Sequence, residues 1–213
     1  MRALVIYCHP VGDSFNAAIR DLVLDKLRNA GAEYRLIDLY ADGFQPVLSA
    51  DELAGYVDSP ANRTPVAAHC AAVAWCDALI FVYPTWWYGL PAMLKGWLDR
   101  VLLPDLAFLM PDAENADIRP GLQQITRLGV FTTCGASWWL MQWVGAPGKR
   151  TLFRGLGVLL HPGAKKVFAA HYLMDRSTDA SRAKHLARVA DRMDQFLGGT
   201  QPALSHPKTK ATP

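Results

Sequence analysis

Three short segments carry the residue types that could do chemistry, and each follows an apolar run. Cys8-His-Pro-Val-Gly-Asp-Ser-Phe-Asn16 follows the first run. Pro84-Thr-Trp-Trp-Tyr-Gly-Leu-Pro91 follows the third, and Thr132-Thr-Cys-Gly-Ala-Ser-Trp-Trp139 the fourth. His9, Ser14, Phe15 and Asn16 lie where a helix is predicted to start. Unpaired backbone N–H groups and the helix dipole favour a phosphate there, and Ser14 serves equally as an ordinary N-cap. Trp86, Trp87 and Tyr88 sit at a strand's carboxyl end, where large aromatics would be wasted on solvent. They suit a flat, stacked ligand, with packing against the long 103–124 connection as the competing reading. Gly89 would let the backbone approach that ligand. The Thr132 and Thr133 hydroxyls and the backbone around Gly135 could bind the carbonyls of a flat heterocycle and the charge it gains on reduction. Trp138, Trp139 and Trp143 follow, and would otherwise form a buried helix or a subunit contact.

Other chemistries find no support in the spacing. The first segment is not G-x-G-x-x-G, and Gly155-Leu-Gly157 lies in a predicted helix without the third Gly. No P-loop and no G-x-S-x-G elbow is present. The six His form no H-x-x-x-H or H-E-x-x-H pair, so no metal site is expected. His185 reads as a solvated face residue, His171 as a structural strand residue and His161 as helix-end chemistry. Asp99 and Arg100 read as the polar face of their helix, where an ion pair contributes little. The four Cys make no C-x-x-C pair and read as buried thiols in a reducing compartment.

Positioning these segments requires alternating strands and helices. Ala3 to Tyr7, Tyr34 to Tyr40, Ala78 to Tyr83, Arg127 to Thr133 and Lys166 to Leu173 read as five strands, apolar enough to be buried on both faces. Helices are predicted over Ser14 to Ala30, Pro65 to Trp75, from Pro91 with Leu94, Trp97, Leu98, Val101 and Leu102 in one stripe, over Lys149 to Leu160, and over Ala180 to Leu197. In the last, Ala183, Leu186, Ala187, Ala190, Met193 and Leu197 would face inward. Such a pattern gives a doubly wound α/β domain with ligands at the carboxyl ends of the strands. The 213 residues, 51% hydrophobic and 19% charged, fit one folded domain over residues 1–200 and a flexible tail over 201–213. No apolar run approaches a membrane span, and the run that stops at His9-Pro10 is too short for a signal segment, so a soluble cytoplasmic protein is expected. A net charge of +3 without a basic block gives no nucleic-acid footprint; Lys208 and Lys210 are too few.

The motifs together resemble a known family. Ala3-Leu-Val-Ile-Tyr-Cys-His9, Ser14-Phe-Asn16, Asp38-Leu-Tyr-Ala41, Phe44-Gln-Pro46, Asp77 to Pro84, Trp87-Tyr-Gly-Leu-Pro-Ala-Met-Leu-Lys-Gly-Trp-Leu-Asp-Arg100 and the Thr132-Thr133 pair with Gly135 are similar to the NAD(P)H:quinone oxidoreductase (DT-diaphorase-like) family of flavodoxin-fold flavoproteins. The resemblance implies a 2-1-3-4-5 sheet, a tightly held flavin, FAD in preference to FMN, and usually a homodimer. It implies that His9, Ser14, Phe15 and Asn16 meet the flavin's phosphate and ribityl end. Pro84, Thr85, Trp86, Trp87 and Tyr88 would line the ring edge near N5 and O4, and Thr132, Thr133, Cys134 and Gly135 the N1–C2 side. The implied acceptor pocket is Trp87, Tyr88, Phe108, Trp138 and Trp139. The implied reaction passes hydride from NAD(P)H to flavin N5 and then two electrons to a quinone or similar acceptor by a ping-pong mechanism. The family's Tyr and His after the Thr-Thr-Gly-Gly run are replaced here by Ser137-Trp-Trp-Leu-Met-Gln-Trp143, which implies a different acceptor pocket. Some relatives resemble ancillary subunits of potassium efflux systems, an alternative role, and a flavodoxin-like electron carrier is a further one that the basic charge disfavours.

Overall fold

Strand β1 (Arg2–Tyr7) pairs in parallel with β2 (Glu33–Asp38) on one side and β3 (Ala78–Thr85) on the other. The ladder continues through β6 (Arg127–Cys134) to β7 (Lys165–His171), giving the order β2-β1-β3-β6-β7. Counted along this sheet, that is the expected 2-1-3-4-5. The computed structural model describes residues 1–198, so the tail over 201–213 and its lysines lie outside the described residues.

The three central strands are buried on both faces, and their alternation feeds two cores. Ala3, Val5, Tyr7, Ile80 and Val82 face α1 (Phe15–Asn29) and α7 (Asp179–Leu197), meeting Ile19, Val23, Val189 and Met193. Leu4, Ile6, Leu79 and Phe81 face the other way and join a core with Trp97 and Leu94 of α4 (Ala92–Val101) and Val73 of α3 (Ala67–Trp75). Each fully buried aliphatic or aromatic side chain contributes about 1.5–3 kcal/mol. The two edge strands differ from the expectation of burial on both faces. β2 buries only Leu39's neighbour Ile37 fully, and β7 begins with exposed Lys165 and Lys166, because an edge strand has a sheet neighbour on one side only.

Tertiary contacts changed three local expectations. On α7 the buried residues are His185, Val189, Met193 and Phe196, while Ala183 and Ala187 are exposed. The helix docks on a stripe rotated by about a quarter turn from the predicted one: Met193 is buried as expected and Leu186 and Leu197 pack at its edge, while Phe196, which offers more area to bury than alanine does, takes the place of Ala183 and Ala187. His185 is therefore core, packed on Phe15 (ring centroids 5.9 Å) and His171 (5.1 Å). Arg100 is also buried. The 41–63 connection, which contains α2 (Ala50–Ala54), folds over α4, and Glu52 takes the Arg100 Nε at 2.9 Å and Nη2 at 2.5 Å. The same guanidinium donates to the Gln45 carbonyl. Finally, the predicted helix over Lys149 to Leu160 is a short α6 (Pro147–Arg150) followed by wider and tighter helical turns through Val158. In the 103–124 connection, β4 (Phe108–Leu109) and β5 (Arg119–Pro120) form a small ribbon.

Two predictions follow from these contacts. A Cβ on Gly96 would lie 2.1 Å from the Pro46 carbonyl oxygen, so α4 and the Phe44-Gln-Pro46 segment touch backbone to backbone. Gly96→Ala should cost about 2 kcal/mol in urea unfolding despite alanine's better helix propensity. Burial first, then the neighbouring His171 and Arg188, hold the His185 pKa down to about 4 from 6.5. The unfolded chain thus binds a proton that the folded chain refuses as pH falls from about 6.5 to 4. Stability should drop over that window by on the order of 2–3 kcal/mol. His185→Leu should flatten this dependence, measured as unfolding midpoint against pH.

Candidate functional site

The loops after β1, β3 and β6 converge at the carboxyl edge, as chain direction requires. After β3 the chain makes a two-residue hairpin turn. Trp86 N–H donates to the Gly89 carbonyl at 3.3 Å and Gly89 N–H to the Trp86 carbonyl at 2.9 Å. The two residues between, Trp87 (φ 47°) and Tyr88 (φ 62°), are both left-handed. Turns of this kind normally use Asn and Gly, and a bulky residue there costs about 1–2 kcal/mol. Gly89 itself does not take a positive φ. Its closeness is to Gly148 of α6, where a Cβ would lie 3.2 Å from the Gly89 carbonyl carbon. That backbone contact braces the turn from behind. Among the described residues, the N–H groups of Trp87 and Tyr88 have no acceptor.

Opposite this turn, the end of β6 presents Thr132, Thr133 and Cys134, followed by Gly135. A Thr85–Thr132 hydroxyl hydrogen bond of 2.9 Å ties the two strand ends together. Asn16, buried on the first turn of α1, donates from Nδ2 to Thr133 Oγ1 at 2.9 Å and so locks the first loop to the third. Its Oδ1 is buried and accepts from no group among the described residues. Ser14 caps α1 through the Ala17 N–H, and no acidic residue lies in the first turn. The N–H groups of Ser14, Phe15 and Asn16 also lack acceptors among the described residues. His9 Nδ1 accepts from Val11 N–H at 3.1 Å and shapes the loop entry. Phe15 points away from the loop, edge-on to His171 at 5.3 Å.

A cavity of about 670 Å³ opens between the second and third loops. Thr85, Trp86, Trp87 and Tyr88 form one wall, and Thr133, Cys134, Gly135 and Ala136 the other; Leu140 and Asp175 close the ends. Pro84 and Thr132 stand just behind, on the strands themselves. Ala136 and Leu140 lie within stretches that the sequence marked without singling them out, whereas Asp175 had no signal, since nothing local places the 174–176 turn beside Gly135. Phe108, Trp138 and Trp139 do not line this cavity. Phe108 packs against the core below the 103–124 ribbon. Trp138 and Trp139 belong to a helix, α5 (Trp138–Val144), not to a loop, and stack edge to face at 4.6 Å with their rings largely outward. Burial, above all, holds the Cys134 thiol above its usual pKa, so it stays protonated. Cys8 and Cys76 are pushed up to about 12 for the same reason. No group of metal-ligating side chains occurs among the described residues.

This sheet order, with three loops gathered at the switch point between β1 and β3, is that of a flavodoxin-like protein. The chain belongs to the flavodoxin-like fold family, whose model matches residues 1–197. NAD(P)H dehydrogenase (quinone) 1 of Rattus norvegicus is 31% identical over 159 residues, covering 67% of this chain and 57% of that protein. Ribosyldihydronicotinamide dehydrogenase (quinone) of Mus musculus is 25% identical over 210 residues, covering 90% of each. Among solved structures, Smu.1420 of Streptococcus mutans UA159 superposes with a TM-score of 0.76 at 28% identity, covering 92% of this chain and 100% of that one. Against four mammalian relatives the match spans no more than 59% of their length. No helix among the described residues is long and apolar enough to cross a membrane.

The strained turn yields a test. Trp87 is 93% exposed, so replacing it loses little burial in the single chain. Trp87→Asn should raise stability by about 0.5–1 kcal/mol in urea unfolding, because Asn tolerates the left-handed backbone. The same variant should bind flat aromatic ligands several-fold more weakly.

Proposed function

We propose that the chain is a flavin-dependent NAD(P)H oxidoreductase that reduces quinones or similar flat acceptors by a ping-pong sequence. The observation that carries this reading is the left-handed aromatic turn facing the Thr133–Ala136 wall, with unpaired N–H groups on Trp87 and Tyr88. Strain of this kind persists where it serves a ligand, and the paired walls fit a planar ring with polar edges. The buried, unpartnered Oδ1 of Asn16 supports a ligand that reaches from this cavity toward α1.

In this reading the N–H groups at the start of α1 hold the flavin's phosphate, beside His9 and Ser14. The N–H groups of Trp87 and Tyr88 bind the ring edge, and the backbone of Thr133, Cys134 and Gly135 holds the opposite edge. Bound there, the flavin would supply the redox chemistry, taking hydride at N5 and returning two electrons to the acceptor. Trp86, Trp87 and Tyr88 orient the second ring and exclude water. No histidine lines the cavity. These side chains therefore act by holding and shielding rather than by relaying protons. FAD is preferred to FMN because the His9-to-Asn16 loop has the spacing of FAD-binding relatives. We further propose a homodimer acting in the cytoplasm, in which the partner covers Trp138, Trp139 and Trp143, exposed by 47%, 76% and 85% in the single chain.

Anaerobic titration of the purified yellow protein with NADPH tests the activity. Full bleaching by one equivalent per flavin, and return of colour with one equivalent of quinone, is the expected outcome. A flavin that stays oxidised would refute the proposal. Chromatography of the flavin released on denaturation should show FAD.

A further inference from the structure

We infer that Asp175 is a specificity-determining residue, which sets the cavity against anionic flat molecules and in favour of neutral or cationic ones. This rests on the proposed function, in which the flavin and the flat acceptor stacked on it share this cavity.

The two walls are built from segments without acidic residues. None lies between Asp77 and Asp99, which includes the whole aromatic turn, and none between Asp117 and Asp175. Asp175 is thus the one carboxylate among the residues that line the cavity. Its place is fixed from both sides. Leu173, two residues past β7, takes a left-handed φ of 56° and donates its N–H to the Ala136 carbonyl at 3.2 Å. The short helical turn Met174–Arg176 then carries Asp175 onto the backbone of Gly135, where a Cβ would lie 3.1 Å from the carboxylate oxygen Oδ2. Any side chain at position 135 would displace it.

The charge is not neutralised locally. Among the described residues Asp175 makes no hydrogen bond and no ion pair. Lys149, which stands behind the Cys134 wall, is held over the Phe168 ring at 4.6 Å. The field of Asp175 reaches the wall itself, since it adds to burial in raising the Cys134 thiol. A neutral ring meets no penalty here, whereas a ring bearing a sulfonate or carboxylate meets the unpaired like charge of Asp175, an exposed residue at the end of the cavity. At separations of several ångström and intermediate dielectric this amounts to about tenfold in affinity, reduced by salt.

The test compares 9,10-anthraquinone-2-sulfonate with its neutral 2-sulfonamide, by calorimetric titration of the flavin-loaded protein. At low ionic strength the sulfonate should bind about tenfold more weakly, and 0.5 M NaCl should narrow the gap (about 0.5 M brings the screening length to a few ångström). Asp175→Asn should bring the two within about twofold, while Asp175→Glu keeps the difference. Equal binding of the two compounds by the unaltered protein, or a difference that survives in Asp175→Asn, overturns the inference and leaves the proposed function standing. If neither compound binds, the acceptor-cavity reading falls and the inference with it.

Discussion

The structure depends on burying three parallel strands on both faces. β1, β3 and β6 have almost no accessible surface. Their backbone polar groups must then pair within the ladder, since no water reaches them. Strands that run parallel end at one edge, and every connection back must cross the length of the sheet. The helices that make those crossings cover the faces. The loops that begin them are left together at the carboxyl edge, and the site is assembled there as a consequence of chain direction.

That edge is then stiffened by a few polar and backbone contacts. Asn16 to Thr133 and Thr85 to Thr132 bind three chain segments to one another within hydrogen-bond distance. The aromatic turn is held in an unfavourable conformation because Gly148 allows α6 to lie directly on Gly89. A side chain at Gly148 would press on the Gly89 backbone and push the turn outward. The rigid core thus stores a modest strain at the surface, where it presents two N–H donors and three aromatic rings at fixed positions.

Much of the site was legible because it follows from local order. The loops after the first, third and fourth apolar runs were placed by alternation alone, and Thr85 to Tyr88 and Thr133 to Gly135 do face one cavity. What failed, failed where a residue's surroundings come from distant sequence. His185 read as solvated because its helix is otherwise polar, yet Phe15 and His171 enclose it. Arg100 read as surface because Glu52, 48 positions away, is invisible to helical periodicity. Trp138 and Trp139 do not line the cavity of the single chain, where α5 turns their rings mostly outward.

The sequence by itself determined the succession of strands and helices and which loops reach the carboxyl edge. Those properties depend on hydrophobic period and chain direction, and both are written locally. Only the tertiary structure decided the left-handed turn at Trp87 and Tyr88, the burial of His185 and Arg100, and the arrival of Asp175 beside Gly135. Each of these is set by packing between segments far apart in the chain, where the balance of sterics, burial and charge exists only once both partners are in place.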